Sequence, residues 1–314
     1  MEKLIVSSSP HIRTKVTTKV IMRDVLIALT PAAVASVVLF GLSALLVIAV
    51  CVASSVLFEF LFNLLVKKEQ TVSDLSAAVT GLLLAFSLPA NAEIYHCIVG
   101  SFFAIVIVKC LFGGIGCNFA NPAVASRVLL LIAFSSSVGD KVATNFMDPE
   151  LVGGATPLEA IKSGATDSLP SLIDMLVGNR MGALGETCAI ALIVGGVYLI
   201  LRRVIKWQIP VIYIGTVFVL SFIIKMDFNL ALYEVLGGGV VIAAFFMITD
   251  YVTTPTNTLG KMVFALGAAL ITVLIRFFGS YPEGVSFAIL IMNILSPYVE
   301  RLCSRKPFGK VGKK

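Results

Sequence analysis

Residues 24–66 read DVLIALTPAAVASVVLFGLSALLVIAVCVASSVLFEFLFNLLV, and Asp24 and Glu59 are the only charged side chains among them. A helix that crosses a bilayer needs about 20 apolar residues. This run is too long for one crossing. It splits at Gly41 into a helical hairpin, closed by Lys67, Lys68 and Glu69. The rest of the chain follows the same rule. It is 58% hydrophobic and only 13% charged, whereas soluble domains carry about 25% charged residues. So few charges cannot cover a soluble particle of 314 residues. The excess apolar surface must face lipid, which excludes a soluble enzyme.

Working outward, apolar stretches fall near Leu75 to Leu88, Tyr95 to Leu111 and Pro122 to Phe134. After a polar segment come Ala183 to Leu201, Ile209 to Ile224, Leu230 to Ile248, Met262 to Phe278 and Val285 to Val299. The expected fold is an all-α polytopic membrane protein with about ten transmembrane helices. The expected divisions are a tail (1–23), a first set of five helices (24–134), a polar loop (135–182), a second set (183–299) and a basic tail (300–314).

The net charge of +6 does not point to nucleic acid. The basic residues sit at the ends and in short loops, as the positive-inside bias requires. With the N-terminus in the cytoplasm, Lys67, Lys68, Lys109, Arg202, Arg203, Lys206, Lys261 and the C-terminal basic residues all fall inside. Both termini are then cytoplasmic and 135–182 lies outside. The first 23 residues are polar and basic and lack a secretory cleavage site.

Pro89-Ala90-Asn91 precedes an apolar stretch that ends at Phe112-Gly113. Pro255-Thr256-Asn257 precedes one that ends at Phe278-Gly279, with the same spacing. This reads as an internal repeat. Five spans per half force the second copy upside down, giving two inverted five-helix repeats, a plan that places functional sites between the halves. The Pro-x-Asn breaks and the glycine-rich Phe112-Gly113-Gly114-Ile115-Gly116-Cys117-Asn118, followed by Asn121-Pro122, interrupt helices where backbone must be buried or line a cavity. These residues fit a pocket for a planar polar ligand or an ion. They fit tight helix packing and a capped helix start equally well.

Glu59, Glu234, Arg127, Arg276 and Asp250 are the intramembrane or span-end charges, and each is costly unless paired or hydrated. Arg276 and Asp250 are near enough to span ends to snorkel. Asp250, beside Thr249 and Thr253, is a candidate carboxylate for admitting a cation. No catalytic residue is expected, since His11 and His96 lack partners. The six cysteines have no metal-ligand spacing, so no metal site is expected. Two similar hexamers in the polar loop, Gly153-Gly154-Ala155-Thr156-Pro157-Leu158 and Ser163-Gly164-Ala165-Thr166-Asp167-Ser168, each present a threonine after small residues. That leaves the hydroxyl unhindered on a flexible chain. Without a neighbouring base it suits modification better than catalysis.

The chain resembles the D subunit of the Rnf (Rsx) electron-transport complex and, more distantly, the B subunit of the sodium-pumping NADH:quinone oxidoreductase. The resemblance covers nearly the whole chain. It rests on Ser8-Ser9-Pro10, Thr80 to Ala85, Gly113 to Gly116 with Asn121-Pro122-Ala123, and Gly154 to Leu158. Ala244 to Asp250 with Val252-Thr253, Ile275-Arg276 through Gly279, and Tyr281 to Ala288 complete it. The resemblance implies FMN in phosphoester linkage to Thr156, attached by a flavin transferase that uses FAD and a divalent metal. Thr166 is the alternative, because its context is similar to the motif of the partner G subunit. It also implies a second, noncovalent flavin such as riboflavin, with Asn118, Asn121, Asn257 and Asp250 as candidate linings. The implied partners are the A, B, C, E and G subunits of Rnf and, indirectly, ferredoxin and NAD. The implied role is electron relay coupled to Na+ or H+ movement in a bacterial inner membrane. No GxGxxG follows a strand here, so the nicotinamide site belongs elsewhere. An inverted-repeat secondary transporter or channel shares the same topology.

Overall fold

A computed structural model describes residues 16–139, 154–165, 169–279, 281 and 283–304. Thr166, the alternative flavin acceptor, lies outside them, as do the N-terminal residues 1–15 and the tail beyond Ser304.

Helix α1 (Thr18–Phe40) starts at Thr17, whose hydroxyl accepts from the Val20 N–H. It ends at Gly41, at φ 71 and ψ −149, a conformation that costs a glycine little and other residues much. That glycine turns the chain directly into α2 (Leu42–Val66), which Lys67 closes in the left-handed region. The outer faces of both helices are apolar and exposed, Leu42 at 81% and Leu65 at 80%. Such a surface is stable against lipid and not against water.

Helix α3 (Ser76–Phe86) is different. It has 11 residues, about 16 Å, or half the hydrocarbon thickness, and is buried along nearly all its length. Gly81 makes the close approach to α2: a Cβ there would meet the Cys51 carbonyl oxygen at 2.6 Å. Past its end, the Phe86 and Leu88 carbonyls accept from the N–H groups of Gly185 and Leu184, at 2.8 and 3.0 Å. This bonding explains a difference from the sequence expectation. The stretch expected as a helix from Ala183 turns helical only at Ala189, because the residues before it pair with the end of α3.

Helix α4 (Ile94–Phe102) continues into a π-helical segment, Phe103–Cys110. Asn121 caps α5 (Pro122–Ala133). Three short helices follow, α6 (Ser135–Gly139), α7 (Pro157–Ser163) and α8 (Leu172–Val177). Then come α9 (Ala189–Leu201) and α10 (Gln208–Lys225). The expected span from Leu230 to Ile248 is broken. Helix α11 (Phe228–Leu236) and α12 (Val240–Ile242, π-helical over Ala243–Met247) meet at an angle of 64° across Gly237-Gly238-Gly239. Helices α13 (Thr258–Phe278) and α14 (Val285–Cys303) finish the fold.

The all-α polytopic architecture holds among the described residues. Five helices, α1, α2, α10, α13 and α14, are long and apolar enough to cross a membrane, and the bent pair makes a sixth. The remaining apolar segments, α3, α4 with its extension, α5 and α9, are shorter. The halves use matching contacts: α2 packs on α3 and α4, as α10 packs on α11 and α13. Helices α1 and α9 pack closely across the seam. There a Cβ on Gly195 would overlap the Ala28 carbonyl oxygen. Gly195→Ala should therefore lower stability by about 1–3 kcal/mol. It would be read as a lower Tm of the detergent-purified protein; an unchanged Tm would contradict this helix contact.

Candidate functional site

The seam between the halves opens into a cavity of about 90 Å³, room for an ion or a few water molecules. Helices α1 and α3 and the 115–122 turn supply one wall. The end of α9, the π-helical segment after α12 and residues 249–252 supply the other. The walls are mostly apolar, with Phe245 and Phe246 among them and a few polar groups between.

Those polar groups are held by local bonding. The Asn121 side-chain oxygen accepts from the Ala123 and Val124 N–H groups at 3.1 and 3.4 Å, the usual N-cap arrangement ahead of Pro122. The Asn118 amide donates to the Ala120 carbonyl at 2.9 Å. Asp250 lies in the turn after the π-helical segment and accepts from the Thr253 hydroxyl at 3.0 Å. Burial pushes the Asp250 carboxyl above its ordinary value, and the Thr253 hydroxyl and the neighbouring backbone N–H groups partly offset this.

Three of the four expected lining residues, Asn118, Asn121 and Asp250, therefore share one cavity. Asn257 does not. Its amide donates to the Cys303 carbonyl at 2.6 Å and ties the start of α13 to the end of α14. Asparagine type and proximity to a break are the same for all three asparagines; only the packing separates them.

The cavity also contains Lys109, which sequence reading used only as an orientation marker. Its ammonium is 2.9 Å from Glu59 and 2.6 Å from the Ser76 hydroxyl, with both charged side chains buried. Glu59 accepts in turn from the Thr71 hydroxyl at 2.7 Å. A cation inside an apolar stretch is itself the signal for such a pair.

The threonine of the polar loop occupies another site. Thr156 is the N-cap of α7: its hydroxyl accepts from the Glu159 N–H at 3.2 Å, and the Glu159 carboxylate accepts from the Thr156 N–H at 2.8 Å. This is a reciprocal capping box, with Pro157 at the first helical position. Thr156 is only 4% exposed. The expectation of an unhindered hydroxyl on a flexible chain is thus corrected; the small residues serve close packing instead. A Cβ on Gly154 would come within 2.5 Å of Met181.

Leu158 enters the glycine break between α11 and α12. A side chain at Gly238 would meet both Leu158 and the Arg276 guanidinium at 2.8 Å. Lys162 donates to the Gly279 and Tyr281 carbonyls. Arg276 does not snorkel. It is buried and donates to the Glu234 carboxylate at 3.1 Å, to the Glu234 carbonyl and to the Gly237 carbonyl at 3.1 Å. It therefore neutralises Glu234 and satisfies carbonyls freed by the break. Arg127 stands 3.5 Å from Glu283 near the same end of the seam. Among the described residues no group of three histidines, cysteines or carboxylates could hold a metal ion.

Fold and site define a multi-pass membrane protein whose two halves enclose a mostly apolar seam cavity and dock a capped threonine on a broken helix. Residues 5–309 match the NQR2, RnfD, RnfE family, and the chain belongs to that family. It is similar to the D subunit of the Na(+)-translocating ferredoxin:NAD(+) oxidoreductase complex of Acetobacterium woodii, with 45% identity over 98% of this chain and 95% of the relative. It is 39% identical to the D subunit of the proton-translocating ferredoxin:NAD(+) oxidoreductase complex of Clostridium ljungdahlii, over 97% of this chain and 96% of that one. The D subunit of the ion-translocating oxidoreductase complex of Halorhodospira halophila is 34% identical, over 96% and 95%.

Breaking the Arg276–Glu234 pair from one side leaves a buried charge unpaired, at a cost of about 3–5 kcal/mol. Arg276→Met and Glu234→Leu should each destabilise strongly, Arg276→Met more because the Gly237 carbonyl also loses its donor. The double variant should lose less than the two losses added. A double-mutant cycle of detergent unfolding checks this; strict additivity would mean the two groups do not interact.

Proposed function

We propose that this chain is the D-type membrane subunit of an ion-translocating ferredoxin:NAD oxidoreductase complex and carries FMN in phosphoester linkage on Thr156. The observation that carries the proposal is the Gly154–Leu158 motif. Each of its larger side chains has a docking role: Thr156 caps, Pro157 starts the helix and Leu158 fills the α11–α12 break. The relatives named above, alike over nearly their whole length, support it.

FMN would supply the redox chemistry, while the protein supplies position and electrostatics. The chain's own part is to hold Thr156 at the helix start and to anchor α7 through Leu158 and Lys162. Because the Thr156 hydroxyl is buried when docked, a flavin transferase would act on α7 before it docks. The partners in this reading are the A, B, C, E and G subunits, with ferredoxin and NAD reached through them. The complex would lie in the bacterial inner membrane, with both termini of this chain cytoplasmic, residues 135–182 outside and the two halves related as inverted repeats. A noncovalent flavin such as riboflavin would lie at this seam with Asn118, Asn121 and Asp250 beside its ring, and the cavity there, about 90 Å³, would have to widen to admit it.

Co-expression with a flavin transferase should leave yellow fluorescence on the denatured, precipitated chain. Thr156→Ala should abolish it and Thr166→Ala should not. Fluorescence that follows Thr166 would transfer the flavin there, and none on the native chain would defeat the electron-carrier reading. Thr156→Ala should also cost about 1 kcal/mol of cap stability, so a Thr156→Ser control separates capping from attachment.

In the same reading Asp250 admits the transported cation. Asp250→Asn in the reconstituted complex should slow cation uptake at least about tenfold, measured with a radioactive sodium tracer or a proton-sensitive dye. With its carboxyl pushed up by burial, the deprotonated form is lost on acidification sooner than for an exposed aspartate. Cation uptake should therefore begin to fall at a higher pH than an ordinary carboxylate would give. Unchanged uptake in Asp250→Asn would remove Asp250 from the path.

A further inference from the structure

Beside α7 lies a separate cavity of about 90 Å³. Leu158 and Lys162 of α7, Lys225 at the end of α10, Glu234 of α11, and Arg276 and Phe277 of α13 line it. Three of these side chains are cationic and one is anionic. The carboxylate is already engaged, 3.1 Å from Arg276. Lys225 has no carboxylate within salt-bridge distance among the described residues; its ammonium rests 5.4 Å from the centre of the Phe277 ring. Among the described residues Lys162 donates to the neutral Gly279 and Tyr281 carbonyls. Arg276 is 4% exposed, and its Nε has no hydrogen-bond partner among the described residues. Among the described residues the cavity thus holds two positive charges more than negative ones, and an unsatisfied donor on a buried guanidinium. Uncompensated charge at a partly buried site is costly, and an oxyanion such as phosphate matches this donor set.

The surroundings indicate where the phosphate comes from. Met226, Phe228 and Phe278, which flank the ends of α10, α11 and α13, are exposed at 77%, 58% and 77%. Along α10 and α13, Val219, Ile223 and Leu274 continue the exposed apolar face. A cationic cavity at the end of a lipid-facing belt suits a molecule with a phosphate at one end and acyl chains at the other.

We propose that Lys162, Lys225 and Arg276 bind the phosphate of an anionic phospholipid, whose acyl chains lie along the exposed faces of α10 and α13. The site joins three parts of the molecule: the short helix α7, the end of α10 and the break between α11 and α12. A bound headgroup would hold the Thr156 segment against the membrane-embedded core. Arg276 serves both the break and the headgroup, so the two lysines are the residues to vary.

The test uses the intact complex in nanodiscs, either of phosphatidylcholine alone or with phosphatidylglycerol added. Native mass spectrometry then counts the lipid retained on this chain. The native chain should keep phosphatidylglycerol and exchange phosphatidylcholine freely. One surface lysine contributes roughly fivefold to anionic-lipid attraction, so Lys162→Ala with Lys225→Ala should weaken retention about twenty-five-fold. Lys162→Arg with Lys225→Arg should preserve it, and Lys206→Ala, at the other end of α10, should leave it unchanged. If the double alanine variant fails to assemble, Lys225→Gln alone should lower retention about fivefold. Undiminished retention in the alanine or glutamine variants would overturn the site. Displacement of the lipid by millimolar inorganic phosphate, or equal thermal protection by phosphate alone, would overturn the lipid assignment in favour of a free anion.

Discussion

The bond from Arg276 to the Gly237 carbonyl, with the Glu234 carboxylate beside it, is the interaction on which the described part of the second half turns. In an apolar medium every backbone polar group needs a partner inside the protein. A helix that bends by 64° in such a medium loses several of its own bonds. Arg276 restores them and supplies the counter-charge in the same stroke. The space left by Gly237 and Gly238 then receives Leu158, so the polar loop docks where the membrane helix is broken. Helix break, ion pair and threonine-bearing segment form one unit.

The first half meets the same constraint by another route. Helix α3 stops after half a membrane thickness, and the chain beyond its end bonds to residues 184 and 185 of the connector between the halves. Lys109 and Glu59 pair near its start. Each half therefore has one interrupted element at its centre, α3 in the first and the α11–α12 pair in the second. The seam cavity lies between them, bounded by α1, α3 and the end of α9 and by the irregular stretches 115–121 and 249–252. Irregular backbone and intramembrane charge are concentrated where a ligand or ion can use them, and the long helices α1, α2, α10, α13 and α14 supply the lipid-facing walls.

Much of this was legible in the chain. Hydropathy located every apolar segment, because lipid tolerates little else over such lengths. The Pro-x-Asn breaks and the glycine-rich 112–118 turn were also visible, since those residues carry backbone preferences of their own, whereas the Gly237-Gly238-Gly239 break lay inside a stretch expected as one span. The threonine motif stood out by its small neighbours, but those neighbours mean something else in the fold. Small residues before Thr156 looked like flexibility, whereas Gly154 makes a close contact with Met181 and Thr156 is buried as a cap. Likewise Asn257 looked like Asn118 and Asn121 and serves a helix-to-helix tie instead.

The sequence by itself determined the membrane class and the helix interruptions at its Pro-x-Asn and 112–118 stretches, but not the break at Gly237-Gly238-Gly239. Both follow from local properties, transfer of apolar side chains and backbone conformational preference, that a residue carries wherever it sits. Only the tertiary structure decided which interrupted ends meet, that Arg276 answers Glu234 and that Lys109 answers Glu59. It alone brought Asn118, Asn121 and Asp250 around one cavity and left Asn257 out. The physical reason is that pairing in an apolar medium depends on distances of a few ångströms between residues far apart in the chain, which no local pattern encodes.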